Sequence, residues 1–106
     1  MKEQLITKET AVLGEIIGYP FYTYPNVPTQ SLLQKWLREV HNINIFMTFK
    51  PNIKKWDFIP YSMDMNAKEY IKYNSEYTAI HNERRFDTYE EALELGLQES
   101  FKLIQK

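Results

Sequence analysis

Two imidazoles, His41 and His81, are the only histidines this chain can offer as general bases or metal ligands. A tetrahedral or facial metal centre would need carboxylates such as Asp57 or Asp64 to converge on them from distant segments. No spacing in the sequence brings these four residues together, so no metal is expected. His41 has a simpler reading at the end of a helix, where a protonated ring complements the negative end of the helix dipole. Cysteine is absent, which removes thiolate nucleophiles, disulfides, iron–sulfur clusters and thiolate zinc sites together. Ser31, Ser62, Ser75 and Ser100 have no strained elbow motif around them and read as caps or surface hydroxyls. Phosphate-cradling loops need several glycines, and Gly14, Gly18 and Gly96 are the whole supply. Rossmann and P-loop nucleotide folds are thereby excluded, and no cofactor is expected.

Three carboxylates, Glu90, Glu91 and Glu94, stand close enough in sequence to suggest an acid–base pair. All fall on the polar arc of a helix, so a solvated face is the favoured reading. Nucleic-acid contacts would draw on Lys54 and Lys55 beside Trp56 and on Arg84-Arg85, two basic clusters that a strand meander would bring to one end of a sheet. Solvated turn cations explain them more simply. Net charge is −1, so the molecule as a whole has no field to attract phosphate. Aromatic residues make up 15% of the chain and half of them are tyrosine, a side chain that buries a ring while keeping its hydroxyl wet. Tyr19, Tyr22, Tyr24, Tyr70 and Tyr73, with Leu95 on the polar arc of the last helix, are candidates for a protein interface or a stacking platform, half-buried packing being the simpler reading.

The elements that must position these groups follow from periodicity. Leu5, Ile6, Val12, Leu13, Ile16 and Ile17 share one helical arc, with Thr7 as N-cap and Gly18 and Pro20 as the stop. Tyr19 to Pro25 reads as a short edge strand or an extended arm. A second helix runs from Thr29 or Ser31 to about His41, with Leu32, Leu33, Trp36, Leu37 and Val40 turned to the core. Ile43, Ile45, Met47 and Phe49 alternate as one face of a strand. Pro51-Asn52 turns the chain, and a second strand begins at Lys55 and is ended or pushed to an edge by Pro60. The segment from Asp64 to Asn74 fits no element decisively, and Glu76 to Arg84 reads as a third strand. The last helix opens on the capping box Thr88-x-x-Glu91 and carries Gly96 in its inward arc, where a glycine costs about 1 kcal/mol relative to alanine unless another element must come close.

The expected architecture is a two-layer α+β domain spanning 1–106. Its antiparallel sheet has three to four strands with helices on one face, in the order helix, strand, helix, strand, strand, strand, helix. From Thr29 onward that is the order of double-stranded-RNA-binding domains. Acidic residues stand where those domains place lysines at their last helix, so nucleic acid is the less favoured partner. Length and composition agree with one globular domain: 106 residues, 43% hydrophobic and 25% charged. The uncharged run from Ile16 to Gln34 is broken by Gly18, Pro20, Pro25 and Pro28 and is not a membrane span. The first nine residues carry acids and no apolar run of signal-peptide length, so a cytoplasmic location is expected.

Three segments carry a resemblance. Lys2-Glu3-Gln4-Leu5-Ile6-Thr7-Lys8-Glu9-Thr10-Ala11, Pro28-Thr29-Gln30-Ser31-Leu32-Leu33-Gln34-Lys35-Trp36-Leu37-Arg38-Glu39 with the following Asn42-Ile43, and Thr88-Tyr89-Glu90-Glu91-Ala92-Leu93-Glu94-Leu95-Gly96-Leu97-Gln98-Glu99 are similar to stretches of small uncharacterised proteins encoded by gut bacteria and their phages or prophages. The similarity covers both ends and the second helix but not Phe46 to Arg85. It implies an accessory protein of a mobile element that acts by binding a protein partner or by self-association, and it carries over no functional residue. A nucleic-acid-binding module is the alternative, and an enzyme of unrecognised type the third reading.

Overall fold

Helix ends in this chain are set by side chains that satisfy the otherwise orphaned first-turn N–H groups. The computed structural model describes residues 5–16, 18, 29–81 and 85–104. Helix α1 (Lys8–Ile16) starts after Thr7, whose hydroxyl accepts from the Thr10 N–H at 3.4 Å. Gly18 follows with φ 93°, a left-handed conformation that glycine adopts at little cost. Helix α2 (Gln30–His41) is capped by Thr29, which accepts from the Leu32 N–H at 3.2 Å, and closed by Asn42 in the left-handed region. Of the two expected caps, Thr29 is therefore the one used. At the last helix, α4 (Tyr89–Ile104), the Thr88 hydroxyl accepts from the Glu91 N–H at 3.1 Å, as the capping box predicts.

Strands β1 (Ile43–Lys50) and β2 (Lys55–Ser62) form an antiparallel hairpin in which Ile45 faces Pro60, Met47 faces Phe58 and Phe49 faces Trp56. The alternation puts Ile43, Ile45 and Phe58 on the covered face. α2 and α4 lie on that face, and α1 packs on α4. The α+β class and the antiparallel pairing hold, and helices cover the hairpin's apolar side.

The expected third strand does not form. Helix α3 (Ala67–Ile80) occupies the ambiguous segment and most of Glu76 to Arg84, so among the described residues the sheet has two strands. The order from Thr29 onward is helix, strand, strand, helix, helix, which also removes the likeness to double-stranded-RNA-binding domains. Asn66 caps α3 by accepting from the Glu69 N–H at 2.8 Å. Alanine, lysine and glutamate at 67, 68, 69, 72, 76 and 79 favour a helix, and the alternation of Tyr77, Ala79 and His81 is too short to compete. What remains of the expected pairing is one bridge. The Trp56 N–H donates to the Phe86 carbonyl at 2.7 Å, and the Phe86 N–H donates back at 3.0 Å.

That bridge and α3 together occupy the outer edge of β2. Pro60 has no N–H to leave unpaired, and its carbonyl accepts from the Tyr73 hydroxyl. The proline thus stays inside an edge strand, with the Tyr73 hydroxyl satisfying the carbonyl that the ladder leaves free.

The core centres on Phe58, Phe101, Leu33, Leu37, Leu93 and Leu97, all nearly inaccessible. Gly96 sits among them because a Cβ there would lie 3.1 Å from Ile45 Cγ2 and 3.2 Å from Phe58 Cδ2. The close approach inferred from a mid-helix glycine is therefore β1 and β2 pressing on α4. Two residues assigned to the core face of α2 do not reach it: Leu32 and Val40 are exposed, one position off the buried Leu33 and three off Leu37.

Candidate functional site

α3 is a helix without a buried residue, and of the other helices and strands it packs only against β2. Tyr70, Tyr73, Tyr77 and His81 recur at i, i+3, i+7 and i+11, which lines them along one side. Tyr70 meets Tyr61 edge-on at 4.8 Å, Tyr73 lies 5.7 Å from Tyr77, and Tyr77 lies 4.4 Å from His81. Burial and the neighbouring Tyr61 phenol raise the Tyr70 pKa above its ordinary value. α3 stands off from the C-terminal half of α4, leaving a groove between the two helices.

Two adjoining hollows make up that groove, sharing Tyr73 and Leu103. The first, about 360 Å³, runs between Tyr77 and Ile80 on α3, the following His81, and Glu99 and Lys102 on α4. The second, about 440 Å³, is bounded by His41, Ile43, Tyr61, Ser62, Met65 and Ile104 as well. Both fall in the size range of small-molecule sites, roughly 300–1,000 Å³. Among the described residues, no Asp, Glu, Lys or Arg lines this second hollow.

His41 is the polar group that distinguishes it. The ring packs edge-on against Trp36 at 4.7 Å, and its enclosed Nε2 has no hydrogen-bond partner among the described residues. Burial pushes the His41 pKa below its ordinary value. The expected role as a protonated ring at a helix end is therefore not favoured: burial shifts the imidazole toward its neutral form. The unfolded chain takes up its proton near the ordinary 6.5 and the folded chain only at a lower pH, so this group withdraws stability as pH falls through that window. A ¹H–¹⁵N titration is expected to place the His41 midpoint below 6.5; a midpoint at or above it would contradict the burial argument.

Glu94 proves to be no solvated carboxylate. One oxygen accepts from the Thr7 N–H at 2.8 Å, the Thr7 hydroxyl at 3.0 Å and the Thr10 hydroxyl; the other accepts from Gln30 Nε2 at 2.9 Å. Gln30 also donates to the Glu90 carbonyl at 2.8 Å, and Gln98 donates to Thr10 at 3.0 Å. A single carboxylate thus ties the starts of α1 and α2 to α4, where its charge also favours the positive end of α1. With its oxygens so engaged, it serves as an anchor.

Among the residues singled out from sequence, Lys54, Lys55, Trp56 and Arg85 do come to one end of the hairpin, because Phe86 pairs with Trp56. Lys55 is ion-paired with Asp87, and nearby Lys50 with Asp57 at 3.5 Å. Trp56 is half-buried between Phe49 at 5.0 Å and Tyr89 at 5.2 Å. Lys54, at φ 53° in the turn, and Arg85 are exposed. Leu95 is half-buried against the core. Tyr19, Tyr22, Tyr24 and Arg84 lie outside the described residues. The groove itself was missed, although the spacing of Tyr70, Tyr73, Tyr77 and His81 behind Asn66 was a readable signal for a helix with an aromatic side.

No family model, curated protein or solved structure matches the chain. No helix among the described residues is long and apolar enough to cross a membrane.

Proposed function

We propose that this chain is a small binding protein, an accessory factor of a phage, prophage or other mobile element working in the cytoplasm, with its ligand seat in the groove between α3 and α4. The observation that carries the reading is α3 itself. A fourteen-residue helix that buries no side chain contributes little to the core, yet its tyrosines wall a cleft that His41 also borders. Aromatic walls with a few placed polar groups are what small-molecule and short-peptide sites are made of.

A ¹⁵N-resolved screen with a set of small neutral fragments tests it. Saturable shifts are expected to cluster on Tyr73, Tyr77 and Leu103; shifts that cluster elsewhere, or none, would remove the groove as the binding site. The nucleic-acid alternative ranks lower because Asp87 and Asp57 offset two of the cations at the hairpin tip. If that alternative were right, a duplex RNA or DNA would bind at low salt and weaken steeply toward physiological salt.

A further inference from the structure

α3 meets the rest of the molecule along one side only, and we infer that it is a latched flap. It undocks and unfolds as a unit while the core stays folded, and the Tyr73 hydroxyl on the Pro60 carbonyl is the latch. The inference does not depend on what the groove binds. Its first support is burial. α3 runs for fourteen residues without burying one, and its two isoleucines face solvent, Ile71 at 67% exposure and Ile80 at 75%. Neither the core nor the half-buried hydrophobic residues packed around it include one from α3. Of the other helices and strands it packs only against β2, and the two hollows of the groove separate it from α4. Elements with so few buried apolar contacts open at free energies well below that of global unfolding.

The second support is the helix itself. Isolated helices shorter than about 12–15 residues are marginal in water, and the good helix formers of α3 are interrupted by Tyr73-Asn74-Ser75 and Tyr77-Thr78, which are poor ones. Away from β2 it has too little support to stay helical. What holds it closed is local and polar: the Asn66 cap on the Glu69 N–H at 2.8 Å, the Tyr70 ring edge-on to Tyr61 at 4.8 Å, and the Tyr73 latch on β2. Tyr73 lines both hollows, so opening removes a wall from each and frees the Pro60 carbonyl at the edge of β2. The groove therefore exists only while the flap is closed.

Native-state hydrogen exchange on the intact chain, read amide by amide in ¹H–¹⁵N spectra, tests the flap. Protected amides from Tyr70 to Ile80 are expected to exchange about a hundredfold or more faster than those of Leu93, Leu97 and Phe101. In dilute urea the α3 rates should barely change while the core rates rise, because a local opening exposes little surface. Ile45→Val makes a mild cavity at a residue 3% exposed. It should speed core exchange about two- to tenfold and leave α3 within about twofold, since the core is still folded when the flap opens. Tyr73→Phe should speed α3 exchange about fivefold, the size of one net hydrogen bond. α3 amides that match the core in rate, and follow it in urea and in Ile45→Val, would overturn the inference. So would α3 amides without protection, which would mean that there is no closed state. An unchanged α3 rate in Tyr73→Phe would overturn the latch. The urea series on the wild-type chain needs no variant, so a poorly folded substitution does not block the test.

Discussion

Phe58→Ala is expected to cost about 3–5 kcal/mol, the range for truncating a fully buried aromatic ring. Phe58 is inaccessible and stands at the meeting point of the hairpin and α4: it faces Met47 across the strands, lies 5.9 Å from Phe86, and touches the one place on α4 that has no side chain, Gly96. Neither strand can close the gap, since their backbones are held by the ladder, and α4 is held by its packing against α1 and α2. Against a total stability of about 5–15 kcal/mol for a domain, such a loss would leave much of the population unfolded. The urea midpoint measures it; a loss under about 1 kcal/mol would mean that α4 does not press on the hairpin as described. Gly96→Leu tests the same contact from the other side and should also destabilise, by overpacking.

Glu94→Ala is the second large effect, at about 2–4 kcal/mol. Removing the carboxylate strips an acceptor from the Gln30 amide, which is 4% exposed, and from the Thr10 hydroxyl, which is fully buried. It also leaves the Thr7 N–H at the start of α1 without its partner. Orphaned buried polar groups cost about 1–3 kcal/mol each, partly offset here by the bonds that Glu90 and Gln98 still make. Glu94→Gln keeps one acceptor oxygen and should lose less, giving the order wild type, Gln, Ala in denaturation midpoint. A near-neutral Glu94→Ala would return this residue to the solvated face that its helical position suggests.

Glu94 also shows how far a helical wheel reaches. Its place on the polar arc of α4 is correct, yet what that arc meets depends on where the starts of α1 and α2 come to rest, and no local pattern contains that. His41 is the same lesson with the sign reversed. Its position at the end of α2 is legible, and a helix end alone would favour a charged ring. The shift toward the neutral form comes from burial in the packed chain. Gly96 succeeded where these two failed because a glycine in an otherwise good helix carries its own warning of a close neighbour.

The third strand failed for a local reason. A stretch such as Glu76 to His81 alternates well enough for a strand and has helical spacing when joined to Tyr70 and Tyr73, and a short window does not decide between periods of 2 and 3.6. The longer window with its Asn66 cap does decide, and the winning helix carries the tyrosines that wall the groove.

The N-terminal caps, the hairpin and part of the core-facing periods were written in the amino-acid order itself, because each rests on residues within a turn or two of one another: Thr29, Thr88, the alternation of Ile43 and Ile45, the proline that suits only an edge strand. The single carboxylate joining three helices, the imidazole shifted toward its neutral form, and the cleft beside α3 came only with the packed chain. Those features depend on desolvation and on hydrogen bonds between residues 60 to 88 positions apart, and both are properties of the assembled interior that no stretch of sequence possesses before it folds.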